Sequence, residues 1–274
     1  MMRRISTACV CRLTAVARFC RGDMRIKMIV NPHAHIGDTV VFDAENFEDD
    51  LIRAMDENGI DVSIVMPSAG ARSAPAVHDR IAQMGRDYPG RIFGMIQYKP
   101  HTPVGELEQE AERCVRELGF VGIKIHPLGG AVNPLGNDGQ RVCQIAQKLD
   151  IPVMIHTGTG VPWALPSLSI PLARKYPDLT FVLAHAGMMI YTMEAWVAAD
   201  VCPNIYLETS WCAAHDIAFL IKSLGANRVM WAGDLVSNFP VELAKYRSLN
   251  LPEDELNWCL ARTAVAVFKL PIQA

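Results

Sequence analysis

Five side chains of the kind that bind divalent metals, His33, His35, His156, His185 and Asp234, each close a short apolar run with the composition of a β-strand. Met28-Ile29-Val30 precedes Asn31-Pro32-His33-Ala34-His35, Val153-Met154-Ile155 precedes His156, Val182-Leu183-Ala184 precedes His185, and Trp231-Ala232-Gly233 precedes Asp234. Imidazole and carboxylate are the ligands of a zinc-type ion that also keeps a water or substrate position open. His33 and His35 are two residues apart, so on an extended strand both point to one face. A lone histidine pair is weak evidence, since a polar turn after a strand looks the same. Four such positions in strand order are much stronger. His156 would be a third ligand. His185 is either a fourth ligand or a donor to the metal-bound water or substrate, and the second role is favoured because a catalytic metal needs an open position. Asp234 can bind through one oxygen and take a proton with the other, and it can also cap the following helix.

Further polar residues fall near this set. In Gly122-Ile123-Lys124-Ile125-His126-Pro127 the alternation puts Lys124 and His126 on one face. Lys124 could pair with a substrate carboxylate, satisfy a buried acid such as Glu208, or, carbamylated, bridge two metals; the first two rank above the third. His126 is a candidate substrate contact. Arg72 follows the second strand and could clamp a carboxylate, against the plainer reading of a solvated loop arginine. Trp163 and Trp211 are candidates for pocket walls or simple packing.

The elements that would position these groups repeat. Strands are expected at 27–31, 60–66, 92–98, 121–126, 151–156, 180–185, 204–209 and 228–233, with strand ends recurring every 23 to 32 residues. Between them Leu51, Ile52 and Met55, then Leu107, Ala111, Cys114 and Leu118, then Ile217, Leu220, Ile221 and Leu224 fall at helical spacing. Gly59, Gly90, Gly119 and Gly225 stand where helices must stop and feed the next strand. Eight strand–helix repeats give the count of a (β/α)8, or TIM, barrel. An open doubly wound sheet would share the alternation. One ion reached from the first, fifth, sixth and eighth strands requires the sheet to close.

Length and composition agree. The 274 residues, half of them hydrophobic, suit one α/β barrel, and the net charge of −3 carries no basic face for nucleic acid. No apolar run reaches the roughly 18 residues of a bilayer span. The eight scattered cysteines show no CxxC pair, which fits reduced thiols and a cytoplasmic protein. The first 22 residues hold Arg3, Arg4, Arg12, Arg18 and Arg21 and no acid, whereas the remainder carries 21 bases against 29 acids. Residues 1–23 therefore read as a non-folding extension, a leader or an upstream start, and 24–274 as the barrel domain.

The ordered set His33-Ala34-His35, Gly122-Ile123-Lys124-Ile125-His126-Pro127, His156-Thr157-Gly158, His185-Ala186-Gly187 and Gly233-Asp234 resembles the amidohydrolase superfamily. More narrowly, it resembles the branch that includes aminocarboxymuconate semialdehyde decarboxylase and pyrone dicarboxylate lactonase, over about residues 28–270. The resemblance implies a distorted barrel with one divalent metal, zinc first and manganese as the alternative, held by His33, His35, His156 and Asp234, with His185 assisting water or substrate. Two departures stand out: Asn31 replaces an aspartate frequent before the HxH pair, and Thr263 and Val267 replace an asparagine and arginine of the closing helix. The expected activity is metal-dependent hydrolysis of a small carboxylated substrate, with Asp234 and His185 as catalytic residues and Lys124, His126, Arg72 and Trp163 on the substrate. Decarboxylation on the same metal is the first alternative, and a non-catalytic metabolite-binding barrel the second. A small molecule is the expected partner, with neither nucleic acid nor membrane, and a homodimer is compatible with the sequence.

Overall fold

The computed structural model describes residues 26–103 and 105–274; the proposed extension, residues 1–23, lies outside them. In chain order the elements are β1 (Val30–Thr39), β2 (Ala44–Asn46), α1 (Glu48–Asn58), β3 (Val62–Pro67), α2 (Ala74–Asp87), β4 (Ile92–Gly94), β5 (Ile96–Gln97) and α3 (Glu106–Arg116). There follow β6 (Ile123–Ile125), α4 (Asn137–Leu149), β7 (Val153–His156), α5 (Ser169–Lys175), β8 (Phe181–Ala184), α6 (Thr192–Val201), β9 (Ile205–Glu208) and α7 (Ala214–Leu224). The chain ends with β10 (Val229–Met230), α8 (Phe239–Ser248), α9 (Glu253–Asn257), a π-helical turn at Trp258–Arg262 and α10 (Thr263–Val267).

Parallel pairing runs β1–β3–β4 and β5–β6–β7–β8–β9–β10. Met95 spans the gap between β4 and β5: its N–H donates to the Val65 carbonyl at 2.8 Å, and Ile96 N–H to Gly122 O at 2.9 Å. The expected third strand is thus one strand in two pieces. The seam between β10 and β1 closes through a parallel bridge of Ala34 with Asp234 and through Asp234 N–H to His33 O at 2.9 Å. The result is a closed, distorted (β/α)8 barrel, as the eight repeats predict.

Strand alternation sorts the core into two layers. Val62, Ile64, Met66, Met95, Met154, Val182 and Met230 form an inner cluster, capped from below by Ala264, Val267 and Phe268. Val65, Ile123, Ile125, Val153, Ile155, Phe181 and Leu183 belong to the larger cluster shared with the helices. Lys124 lies between Ile123 and Ile125 and therefore faces the lumen, where its Nζ reaches Met154 Sδ at 3.4 Å. At Gly94 a Cβ would lie 2.2 Å from the Phe120 ring, so only glycine lets this strand approach its neighbour so closely.

Besides the divided third strand and a last strand shortened to Val229–Met230, two departures from the expected strands lie around β1. β1 starts later and runs further than 27–31, so His33 and His35 lie inside it, His33 within a register shift between Asn31 and Ala34 and His35 just beyond it. Pro32, which lacks an N–H for the ladder, falls within that shift. β2 was not expected; it pairs antiparallel with the extended end of β1.

Candidate metal centre and active site

The barrel seam brings His33, His35 and Asp234 together. His33 Nε2 is 3.0 Å from His35 Nε2, and Asp234 Oδ1 is 3.4 Å from the first and 3.2 Å from the second. The opposite ring nitrogens fix the tautomers: His33 Nδ1 donates to Glu208 Oε2 at 2.8 Å, and His35 Nδ1 donates to Pro67 O at 3.0 Å. Both Nε2 lone pairs and one carboxylate oxygen therefore converge, a donor set of the kind that holds a divalent cation. Ligand atoms about 2.1 Å from one ion at angles near 90–110° are about 3.0–3.4 Å apart, so this donor set fits a divalent metal. His156 is outside the close triad: its ring stacks on His126 with centroids 4.1 Å apart and meets His185 edge-on at 4.7 Å.

Glu208 closes β9, is fully buried and organises the surroundings. Besides His33, its Oε2 accepts the His185 backbone N–H at 3.2 Å, and its Oε1 accepts Ser210 N–H at 2.6 Å. The sequence reading treated it only as a partner for Lys124. Lys124 Nζ instead lies 3.0 Å from His33 Nε2, and burial pushes its pKa down to about 8. The missed signal was an acid at the end of an apolar strand, the same pattern that marks the histidines.

His185 stands where the chain leaves β8. Its Nδ1 is 2.7 Å from Ser210 Oγ, and burial pushes its pKa down to about 3, so the ring is neutral at ordinary pH. From His185 to Met189 every residue has positive φ, a costly path for non-glycine residues that concentrates at functional sites. Burial likewise drives His33, His126 and His156 well below the usual histidine range. Burial alone would raise Asp234, but hydrogen bonding with His35 and the surrounding imidazoles work against it, and the carboxyl stays ionised well below its ordinary value.

The second oxygen of Asp234 is also engaged. Trp211 Nε1 donates to Oδ2 at 2.7 Å, while the Trp211 backbone N–H donates to Glu242 Oε1 at 2.9 Å. Both Trp211 and Asp234 have left-handed backbones, with φ of 67° and 61°. The sequence offers Trp211 only as a pocket wall or as packing, because no spacing rule predicts that turn. Asn31 Oδ1 accepts Gly233 N–H at 3.0 Å and His33 N–H at 3.3 Å, tying the seam. Its buried Nδ2 has no partner among the described residues.

The remaining predicted residues divide. His126 is buried and its Nδ1 accepts Gly129 N–H at 3.1 Å. Arg72 is not drawn into the cluster: its side chain is 76% exposed, with Nε 3.7 Å from Asp38. Trp163 sits in the short helical turn Pro162–Ala164 after β7 and is also exposed. No helix among the described residues is long and apolar enough to cross a membrane.

Comparison with known proteins follows the same lines. The sequence profile of the amidohydrolase family matches residues 30–270. The chain is 26% identical to gamma-resorcylate decarboxylase of Polaromonas sp. JS666, covering 69% of this chain and 77% of that protein. It is also 26% identical to 2-keto-4-carboxy-3-hexenedioate hydratase of Sphingobium sp. SYK-6, over 57% of this chain and 55% of that one. The crystal structure of dihydroxybenzoic acid decarboxylase from Polaromonas sp. JS666, with bound manganese and 2-nitroresorcinol, superposes with a TM-score of 0.70. That match has 20% identity and covers 90% of this chain and 98% of that structure.

Proposed function

The chain belongs to the amidohydrolase family, and from that premise we propose that it is a metal-dependent decarboxylase of a small aromatic or unsaturated carboxylic acid. The converging Nε2 lone pairs and carboxylate oxygen support a metal, and the observation that favours decarboxylation on it is the second Asp234 oxygen already taken by Trp211 Nε1, beside the buried Lys124. His33, His35 and Asp234 would hold a manganese or zinc ion, with His156 completing the set from the adjoining histidine stack. When bound, the ion supplies Lewis-acid polarisation of a substrate oxygen.

This chain's own residues supply the rest. Lys124 is the cation that orients the substrate carboxylate at the inner end of the cleft it lines. His185 would relay the solvent proton that takes the place of CO2 on the carbon, giving up its Nε2 proton while Nδ1 takes one from the Ser210 hydroxyl, and so staying neutral; Glu208 holds its backbone N–H. Hydrolysis needs a base for water, and Asp234 is less suited to that because Trp211 Nε1 already donates to Oδ2. The decarboxylase relatives lend further support, so decarboxylation takes precedence over the hydrolysis expected from sequence. Hydrolysis stays the second reading, since Oδ2 keeps another lone pair.

The test is a screen of hydroxylated benzoates, unsaturated diacids and lactones with manganese-loaded protein, following CO2. We expect CO2 from at least one acid and its loss on chelation with recovery on re-addition of manganese. Lactone turnover without CO2 from any acid would overturn the proposal.

A further inference from the structure

Besides Glu208, the described residues bury one other acid, Glu242 on α8, which is 1% exposed. Its Oε1 accepts the Trp211 backbone N–H at 2.9 Å, Asn238 Nδ2 at 2.9 Å and Lys245 Nζ at 2.6 Å. Burial pushes its pKa up, and these donors work against the rise. A carboxylate taken out of water is costly unless it is paired and hydrogen-bonded. Here donors reach it from three residues, and one of them, Trp211, lies in the loop after β9 against the metal cluster.

Trp211 is where this anchor acts. The residue is 39% exposed, so burial alone does not hold it, yet its φ of 67° is a conformation that a non-glycine residue keeps only where its surroundings fix it. Glu242 takes the backbone N–H of that strained residue, and Asp234 Oδ2 takes its indole N–H at 2.7 Å. A backbone in the right-handed or extended region would redirect the Cα–Cβ bond and carry the indole away from the carboxylate. Asp234 in turn presents Oδ1 to the Nε2 atoms of His33 and His35, at 3.4 and 3.2 Å. Indole is a donor only, so it ties Oδ2 without competing for a cation. Asn238 Nδ2 also reaches Gly233 O at 3.4 Å, which links the residue before Asp234 to the same acid.

We propose that Glu242 and Trp211 form a positioning relay for the metal site: Glu242 fixes the left-handed turn at Trp211, and the indole holds Asp234 with Oδ1 turned to the histidines. Both are positioning residues, acting on the site through Asp234. The relay rests on the metal reading of the site and is indifferent to which bond is broken. Groups that orient a ligating side chain matter to affinity, and their loss typically costs about 10–100-fold in metal binding.

The test uses the full chain with 15N-labelled tryptophan, read by the indole N–H signals of the metal-free protein and by zinc affinity from competition with a chromogenic chelator. Trp211→Phe assigns the Trp211 signal. That signal should move in Asp234→Asn, which alters its acceptor, and in Glu242→Met, which removes the anchor, with the other indole signals in place. Trp211→Phe and Glu242→Met should each weaken zinc binding about tenfold or more. The double variant should lose less than the product of the two, because the residues act in series. A Trp211 signal that ignores Asp234→Asn, or zinc affinity in Trp211→Phe within about twofold of the parent, well inside the expected loss, would overturn the relay even if Glu242→Met does not fold. A signal unmoved by Glu242→Met, or fully multiplicative losses in the double variant, would overturn it at Glu242. Zinc bound alike by the parent and Trp211→Phe removes the relay alone; no zinc bound by the parent removes the metal reading with it.

Discussion

Tautomers decide what the two seam histidines can do, and both are set by acceptors on other strands. Glu208 on β9 takes the Nδ1 proton of His33, and the Pro67 carbonyl on β3 takes that of His35. Removing the charge of Glu208 should therefore act through His33. We expect Glu208→Gln to weaken manganese binding about 10–100-fold, the usual scale for such partners, as measured by competition with a chromogenic chelator; unchanged affinity would remove Glu208 from that role. Asp234→Asn should keep the fold but lower turnover by at least about 100-fold, and activity within about tenfold of the parent would exclude Asp234 from the chemistry. The HxH spacing and the polar strand ends made most of these residues legible in the sequence. The role of Trp211 is not legible, because it acts through a left-handed turn that no spacing rule predicts.

Strands and helices add close approaches to the polar ties that hold the site. A Cβ on Gly233 would lie 2.1 Å from Phe239 Cδ1, and that ring is fully buried at the start of α8. Gly233→Ala should cost about 1–3 kcal/mol in overpacking and reduce turnover, because Asp234 is the next residue; an unchanged urea midpoint would contradict this. Between α2 and α3, burial alone would raise Glu110, but His78 and Arg113 outweigh it and hold its pKa down to about 2. The folded value lies below the unfolded one of about 4.5, so this contribution is present above about pH 4.5 and is lost as pH falls towards about 2. Glu110→Gln should be less stable than the parent at pH 7, with the gap closing over that window in urea titrations; a constant gap would exclude the linkage. Helical periodicity located α1, α3 and α7 in sequence, and Gly59, Gly90 and Gly119 have the left-handed φ expected after helices. Gly225 has positive φ but an extended ψ, so it turns the chain without a left-handed cap. The bulged course of β1 escaped periodicity because a register shift breaks the alternation that such reading relies on.

Across the whole molecule, closure of the sheet does the chemical work of assembly. β1 and β10 lie at opposite ends of the sequence, yet the Ala34–Asp234 bridge puts His35 and Asp234 within 3.2 Å. Eight repeats predicted that closure, and ligands on first and last strands required it. The bond broken was less legible, since hydrolysis and decarboxylation share the same ligands and differ in what engages the second oxygen of Asp234. The most direct test is the ratio of CO2 released to acid consumed by the manganese-loaded protein in 18O-labelled water, using the best acid found in the screen. We predict one CO2 per acid and no 18O in the organic product. Consumption of the acid without CO2 and with one 18O in the product would contradict the account.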